Sequence, residues 1–280
     1  MARHIALALA FLLAFGSPQA DADSREETPP LIFGVVPQQS PGELARMWTP
    51  ILSFLGGKSG LPLRFATAKD IPTFEQRLAA GEYDIAYMNP YHYTVFQRAP
   101  GYRVFAKEKY KKLKGIVVVR KDSPYADISH LRDGLVAFPG PAAFAATILP
   151  QAELNRMRIP VQAKYVSSHD SVYLSVARGL FAAGGGIPRT FDNLDPALRD
   201  QLRILWYTPS YTPHAVAAHP RVPAETVERL QAAMARMADD PQGAELLKAI
   251  GFQGLVAAQD GEYNDIRRLD IKLLDPMVSR

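Results

Sequence analysis

Between Leu31 and Met88 short β-type apolar segments alternate with amphipathic helical ones, and this alternation limits the fold more than any other feature of the chain. Leu31–Val36 reads as a strand closed by Pro37-Gln38-Gln39. Ser40-Pro41-Gly42-Glu43 then has capping-box spacing with Pro at the first helical position. The spacing predicts a helix with Leu44, Met47, Trp48, Ile51 and Leu55 on one face, stopping at Gly56-Gly57. A strand at Pro62–Ala66, a helix at Thr73–Ala80 and a strand at Asp84–Met88 complete a βαβαβ run. Such a run implies an α/β fold, a mostly parallel sheet with helices on both faces.

The pattern then restarts. Arg103–Lys107 and Gly115–Arg120 are strand candidates, the second continuous and β-branched as a strand buried on both faces would be. Leu135–Phe138 (strand), Ala142–Met157 (helix), Gln162–Val166 (strand), His169–Arg178 (helix) and the Gly-rich Phe181–Ile187 (strand) follow. Arg203–Tyr207 and Ala215–Ala218 read as returning strands on either side of Thr208-Pro209-Ser210-Tyr211-Thr212-Pro213, a linker stiffened by two prolines. Helical patterning resumes at Pro223, with Val227, Leu230, Met234 and Met237 on one stripe, then a short helix to Ile250 and a terminal one through Ile266 and Leu269. Two α/β sets with a return point to two lobes that close like a hinge. The expected division is 23–114 and 207–280 for one lobe and 115–206 for the other, with crossings near Gly115 and Tyr207. A single doubly wound domain is the alternative.

The amino terminus sets the compartment. Arg3, the apolar run Ile5–Phe15, Ser17-Pro18 and Ala20-Asp21-Ala22 make a secretory signal peptide over residues 1–22, too short to span a bilayer. The chain has no Cys, so neither disulfides nor a lipidated cleavage site are available, and a free, soluble periplasmic protein is expected. The net charge of +4 owes most to a Lys run at Lys107, Lys109, Lys111, Lys112 and Lys114. In an exported protein this reads as a solvated lobe edge, with no nucleic-acid partner.

Chemistry is concentrated in Asp84-Ile85-Ala86-Tyr87-Met88-Asn89-Pro90-Tyr91-His92-Tyr93. Asn89-Pro90 stops the strand, and ligands of open α/β sheets sit beyond the carboxyl ends of strands. Two readings stand: core tyrosines with satisfied hydroxyls, or one wall of a binding cleft built from Gln38, Asn89, Tyr91, His92 and Tyr93. The cluster of three tyrosines and a histidine favours the cleft. Catalysis is not expected. No Gly-x-Ser-x-Gly elbow is present, and consecutive Ser168-His169-Asp170 cannot adopt triad geometry. Gly184-Gly185-Gly186 reads as a close approach of backbone to a ligand or neighbour. His92, His169, His214 and His219 lack the helical i, i+4 pairing of a readable metal site, so no metal and no cofactor are assigned.

In order along the chain, Asp84–Tyr93 with its Pro-x-x-Tyr ending, Gly115-Ile-Val-Val-Val-Arg-Lys-Asp122, Val136-Ala137-Phe138 with Pro141, and Ser168-His169-Asp170 resemble the phosphate/phosphite/phosphonate-type substrate-binding proteins of ABC transporters. The resemblance spans roughly residues 31 to 255. It implies a two-lobed, type II periplasmic binding protein that traps a ligand between its lobes and hands it to a membrane permease. A membrane sensor kinase is the alternative partner. The resemblance also implies that Tyr93 and His169 help hold an oxyanion, with Ser168 beside them. After Pro141, where the family places Ser and Thr at a helix start, this chain has Ala142-Ala143-Phe144-Ala145-Ala146. The backbone N–H groups of Ala143 and Phe144 remain as donors. Losing two or three hydroxyl bonds to an anion costs roughly 3–9 kcal/mol. The expected ligand is therefore a small molecule, an anion or a solute with an apolar or cationic part suited to Tyr87, Tyr91, Tyr93, Phe144, Trp206 and Tyr211. Tyr211 and His214, on the linker, complete the candidate set.

Overall fold

The structure is a computed structural model that describes residues 29–279; the expected signal peptide lies outside the described residues. Among the described residues eleven strands are formed: β1 (Leu31–Val35), β2 (Leu63–Ala66), β3 (Ile85–Met88), β4 (Arg103–Glu108), β5 (Ile116–Arg120), β6 (Leu135–Phe138), β7 (Gln162–Tyr165), β8 (Ala183–Gly186), β9 (Leu202–Tyr207), β10 (Ala215–Ala218) and β11 (Leu255–Ala257). The helices are α1 (Pro41–Ser59), α2 (Ile71–Ala79), α3 (Pro90–Phe96), α4 (Leu149–Arg156), α5 (His169–Ala177), α6 (Pro188–Asp192), α7 (Pro196–Arg199), α8 (Ala224–Arg236), α9 (Pro241–Ala249) and α10 (Asn264–Arg267). One sheet runs β11-β4-β10-β3-β1-β2 and the other β7-β6-β8-β5-β9, so each lobe has its own sheet. Among the described residues no helix is long and apolar enough to cross a membrane.

Both sheets are mixed rather than mostly parallel. β1 pairs in parallel with β2 and β3, and β6 with β7 and β8, whereas β10 runs antiparallel to β3 and β4, and β5 antiparallel to β8 and β9. The reason is the return path. β10 enters the first sheet where β3 ends, with Ala215 opposite Met88, so it has to run the other way.

Local chemistry sets the element ends. α1 runs through Gly56-Gly57 and stops at Gly60, whose φ of +66° is the left-handed turn that favours glycine; its N–H returns to the Gly56 carbonyl at 2.8 Å. The segment expected as one helix from Ala142 opens as a π-turn over Phe144–Ile148 before α4 begins. Three-residue β11 and the short α6 and α7 have no counterpart in the sequence reading. The expected terminal helix is a 3-10 turn over Asp260–Tyr263 followed by the four-residue α10.

β5 shows how the second lobe is held. Ile116 and Val118 face Val172, Tyr173 and Val176 of α5, while Val117 and Val119 join Val136, Phe138, Leu154 and Ile159 on the other side. Burial of about 1.5–3 kcal/mol per side chain on both faces explains the unbroken β-branched run. The Gly-rich β8 lets its neighbours close in. A Cβ on Gly185 would lie 2.3 Å from the Ala146 carbonyl oxygen and 2.5 Å from the Phe138 ring, so the glycine serves a protein neighbour.

The chain passes between the sheets after β4 and returns after β9. The two crossings pair with each other: Leu113 and Tyr211 exchange both backbone bonds at 2.9 Å, and the Gly115 N–H donates to Thr208 Oγ1 at 2.9 Å.

Candidate functional site

Strand register fixes what the lobes present to each other. The crossings leave the first sheet at the end of β4 and return at the start of β10, which lies opposite the end of β3. They enter the second sheet at the start of β5, where Ile116 pairs with Gly186 at the end of β8 and with Tyr207 at the end of β9. The crossings thus join the carboxyl ends of β1 and β3 to the carboxyl ends of β6 and β8. Those are the ends where open α/β sheets hold ligands.

On the first lobe Gln38, past β1, and His214, before β10, meet at 3.0 Å between Gln38 Nε2 and His214 Nε2. With the amide in this orientation its N–H donates and His214 Nε2 is the acceptor. Burial, with the His92 and Lys111 charges nearby, pushes His214 down to about 3, which keeps the ring neutral. The ring stacks on Tyr87 (5.1 Å, 19°), and Tyr87 in turn packs on Trp48 at 4.9 Å.

The tyrosine-rich turn is otherwise occupied within its own lobe. Asn89 caps α3, its Oδ1 accepting the His92 N–H at 2.8 Å. His92, 1 % exposed, places Nε2 2.9 Å from Glu75 Oε1, while its Nδ1 has no partner among the described residues. Tyr91 Oη accepts the Leu274 N–H at 2.8 Å, and burial raises the phenol to about 12. Tyr93 Oη donates to Asp260 Oδ1 at 2.7 Å, and its ring packs edge-on against Tyr263. A lobe that closes its carboxyl-terminal segment over α3 recruits these hydroxyls as fasteners, because a buried phenol needs a partner.

On the second lobe the helix start carries no side-chain cap at Ala143, whose N–H reaches the Gly140 carbonyl at 3.3 Å. The first amides of such a helix, Phe144 foremost, have no intrahelical acceptor. Phe144 is buried, and with Ala145, Ile148 and Leu149 it belongs to the apolar cluster that holds the first lobe and includes the crossing residues Leu113 and Tyr211. Ser168 caps α5, its Oγ accepting the Ser171 N–H at 3.1 Å, and His169 follows with Nδ1 3.3 Å from Thr190 Oγ1. Burial lowers the His169 pKa, opposed by Asp170. Thr190 also meets Tyr173 Oη at 2.7 Å, so His169 is oriented by a hydroxyl chain. On the crossing, Tyr211 Oη donates to the carboxylate of Glu153, a group 1 % exposed.

Glu75, Glu153 and Thr190 were not singled out by sequence reasoning. Each acts through a partner far away in the chain, and no local pattern announces it. Among the described residues no group of three or more His, Asp or Glu side chains is arranged to hold a metal ion. Among the described residues, one surface cavity of about 230 Å³ is lined by Tyr91, Arg98, Ile271 and Asp275 among others, and another of about 270 Å³ lies beside Arg120 and Gln201. Neither lies between the lobes.

Two mixed α/β lobes joined by a double crossing, with the ligand-competent strand ends directed at each other, have the two-lobed fold of type II periplasmic binding proteins. The family of phosphonate periplasmic substrate-binding proteins of ABC transporters matches residues 33–263, and the chain belongs to that family. It is similar to the phosphonates-binding periplasmic protein of Escherichia coli (strain K12), 21% identical over 94% of this chain and 82% of that protein. In fold it is similar to PhnD1 from Prochlorococcus marinus, solved with methylphosphonate (TM-score 0.72, 17% identity, 87% of this chain and 97% of that one). XAC2383 from Xanthomonas citri, solved with chloride ion, is also similar (TM-score 0.75, 18% identity, 89% and 97%). The protein is a periplasmic substrate-binding component of a phosphonate-type ABC transporter and not an enzyme.

Proposed function

We propose that the chain captures a small solute between lobes 23–114 plus 207–280 and 115–206, and delivers it from the periplasm to its permease. Gln38 and His214 form the first wall, and the Phe144 backbone N–H, Ser168 and His169 form the second. Tyr211 lies on the rim. Asn89, Tyr91, His92 and Tyr93 shape the first wall from behind, since their polar groups are held within that lobe.

The observation that carries the ligand class is the alanine-lined helix start: Ala142-Ala143 precede the π-turn and no hydroxyl caps it. An oxyanion would keep the helix amides but lose the Ser/Thr clamp, weakening it by roughly two to six orders of magnitude. A ligand with an apolar or cationic part suits the neutral His214, the Tyr87–Trp48 stack and Phe144 better. Titration with methylphosphonate, phosphite and quaternary amines, followed by calorimetry and by Trp48 and Trp206 fluorescence, tests this. Micromolar methylphosphonate binding would overturn the ligand class, and no binding of any small solute would overturn capture itself.

A further inference from the structure

On the returning crossing two adjacent residues are held by opposite lobes. Tyr211 Oη donates to Glu153 on α4, whose carboxylate is also gripped by Arg156 of the same lobe at 2.7 Å. Thr212, the next residue, belongs to the other lobe's network. Its N–H donates to Asp265 Oδ2 at 2.7 Å, and its hydroxyl lies 2.8 Å from the Glu262 carbonyl and 2.9 Å from the same Asp265 oxygen. Pro213 follows, with its own φ fixed and Thr212 confined to extended backbone.

Rotation of one lobe against the other therefore finds few free torsions between Tyr211 and Thr212, and opening has to release one of the two anchors. The Thr212 anchor involves its backbone and its hydroxyl; the Tyr211 side chain has a single hydrogen bond, made by the tip of a ring that packs in the same apolar cluster as Phe144 and Leu149. The single bond yields first. We propose that Tyr211 and Glu153 are a latch made when the lobes are together and broken when they part. Both act as positioning residues. α4 continues the π-turn that carries the Phe144 amide, so the latch holds the second wall of the cleft against the crossing. By setting the closed fraction it sets apparent ligand affinity, which scales with the population of the competent state.

The Cys-free chain allows a direct test that needs no ligand and is independent of the ligand class. Gln242→Cys and Ala197→Cys place spin labels on exposed positions of α9 and α7, one on each lobe, and pulsed dipolar spectroscopy reads the distance distribution of the ligand-free protein. Tyr211→Phe should move the closed-to-open ratio about tenfold or more toward the long-distance population, as expected for loss of a hydrogen bond to a charged group. Glu153→Gln keeps an acceptor but not its charge, and should open the lobes several-fold less than Tyr211→Phe does. A thermal melt run alongside separates latch from scaffold. A lowered melting midpoint with an unchanged distribution in Tyr211→Phe would overturn the proposal. So would a parent distribution confined to long distances, or equal opening in Glu153→Gln and Tyr211→Phe.

Discussion

Gly185→Ala is expected to destabilise the second lobe, and the structure sets the size of the effect. A Cβ at this position meets the Ala146 carbonyl oxygen at 2.3 Å and the Phe138 ring at 2.5 and 2.6 Å. Ordinary contact would require the neighbours to retreat by about 1 Å. Neither is a flexible end: one is backbone of the π-turn, and the other is a ring that is 0 % exposed. Overpacking of this kind costs about 1–3 kcal/mol, and the reduced freedom of the unfolded chain returns only about 0.4–1 kcal/mol. At about 2–4 °C per kcal/mol for a chain of this size, the melting midpoint should fall by up to roughly 10 °C in scanning calorimetry. A variant that melts at or above the parent temperature would refute the reasoning that β8 is glycine-rich because a helix start presses on it.

Gly57→Ala, an exposed α1 position with nothing within 4 Å of the added carbon, should instead stabilise by up to about 1 kcal/mol, read as a higher midpoint in the same scan. Stability should fall as pH drops from 6.5 toward 3. Folded His214 stays neutral down to about 3 while its unfolded counterpart protonates near 6.5, so the unfolded chain holds the extra proton in that window. His214→Gln should flatten the slope of urea-unfolding free energy against pH by up to about 1.4 kcal/mol per unit, and an unchanged slope would contradict the assignment. Tyr91→Phe removes the acceptor for the Leu274 N–H and should cost about 1 kcal/mol while speeding proteolysis after Ile271; an unaltered cleavage rate would count against it. Ala142→Ser with Ala143→Thr should tighten methylphosphonate binding about ten- to a hundredfold per new hydroxyl bond, measured by calorimetry.

Much of this architecture is written in local patterns. β5 is legible because a strand buried on both faces has to be apolar at every position, and Ile116–Val119 are. α1 is legible from its capping residues and stripe, but its end is not. Gly56, Gly57 and Gly60 compete as stop signals, and only the left-handed turn at Gly60 is taken. The direction of β10 depends on where the chain re-enters the sheet, which no stretch of four residues encodes. The tyrosine-rich turn shows the limit for the site. Tyr93 and Tyr91 are polar-tipped rings whose partners, Asp260 and Leu274, lie 167 and 183 residues away. Composition proposes a cleft wall for them, whereas tertiary closure decides which lobe segment takes their hydroxyls. The π-turn and the buried Glu153 have no local signature at all, being set by packing against the crossing.

A solute held between the two lobes, by Gln38 and His214 on one side and His169 with the Phe144 amide on the other, is the central expectation for this protein. Native mass spectrometry of the protein purified from periplasm reads this directly. One small molecule per chain is predicted for the parent, absent when Gln38 and His169 are both replaced by Ala in a chain that still folds. Retention of the same molecule by that double variant would contradict the account.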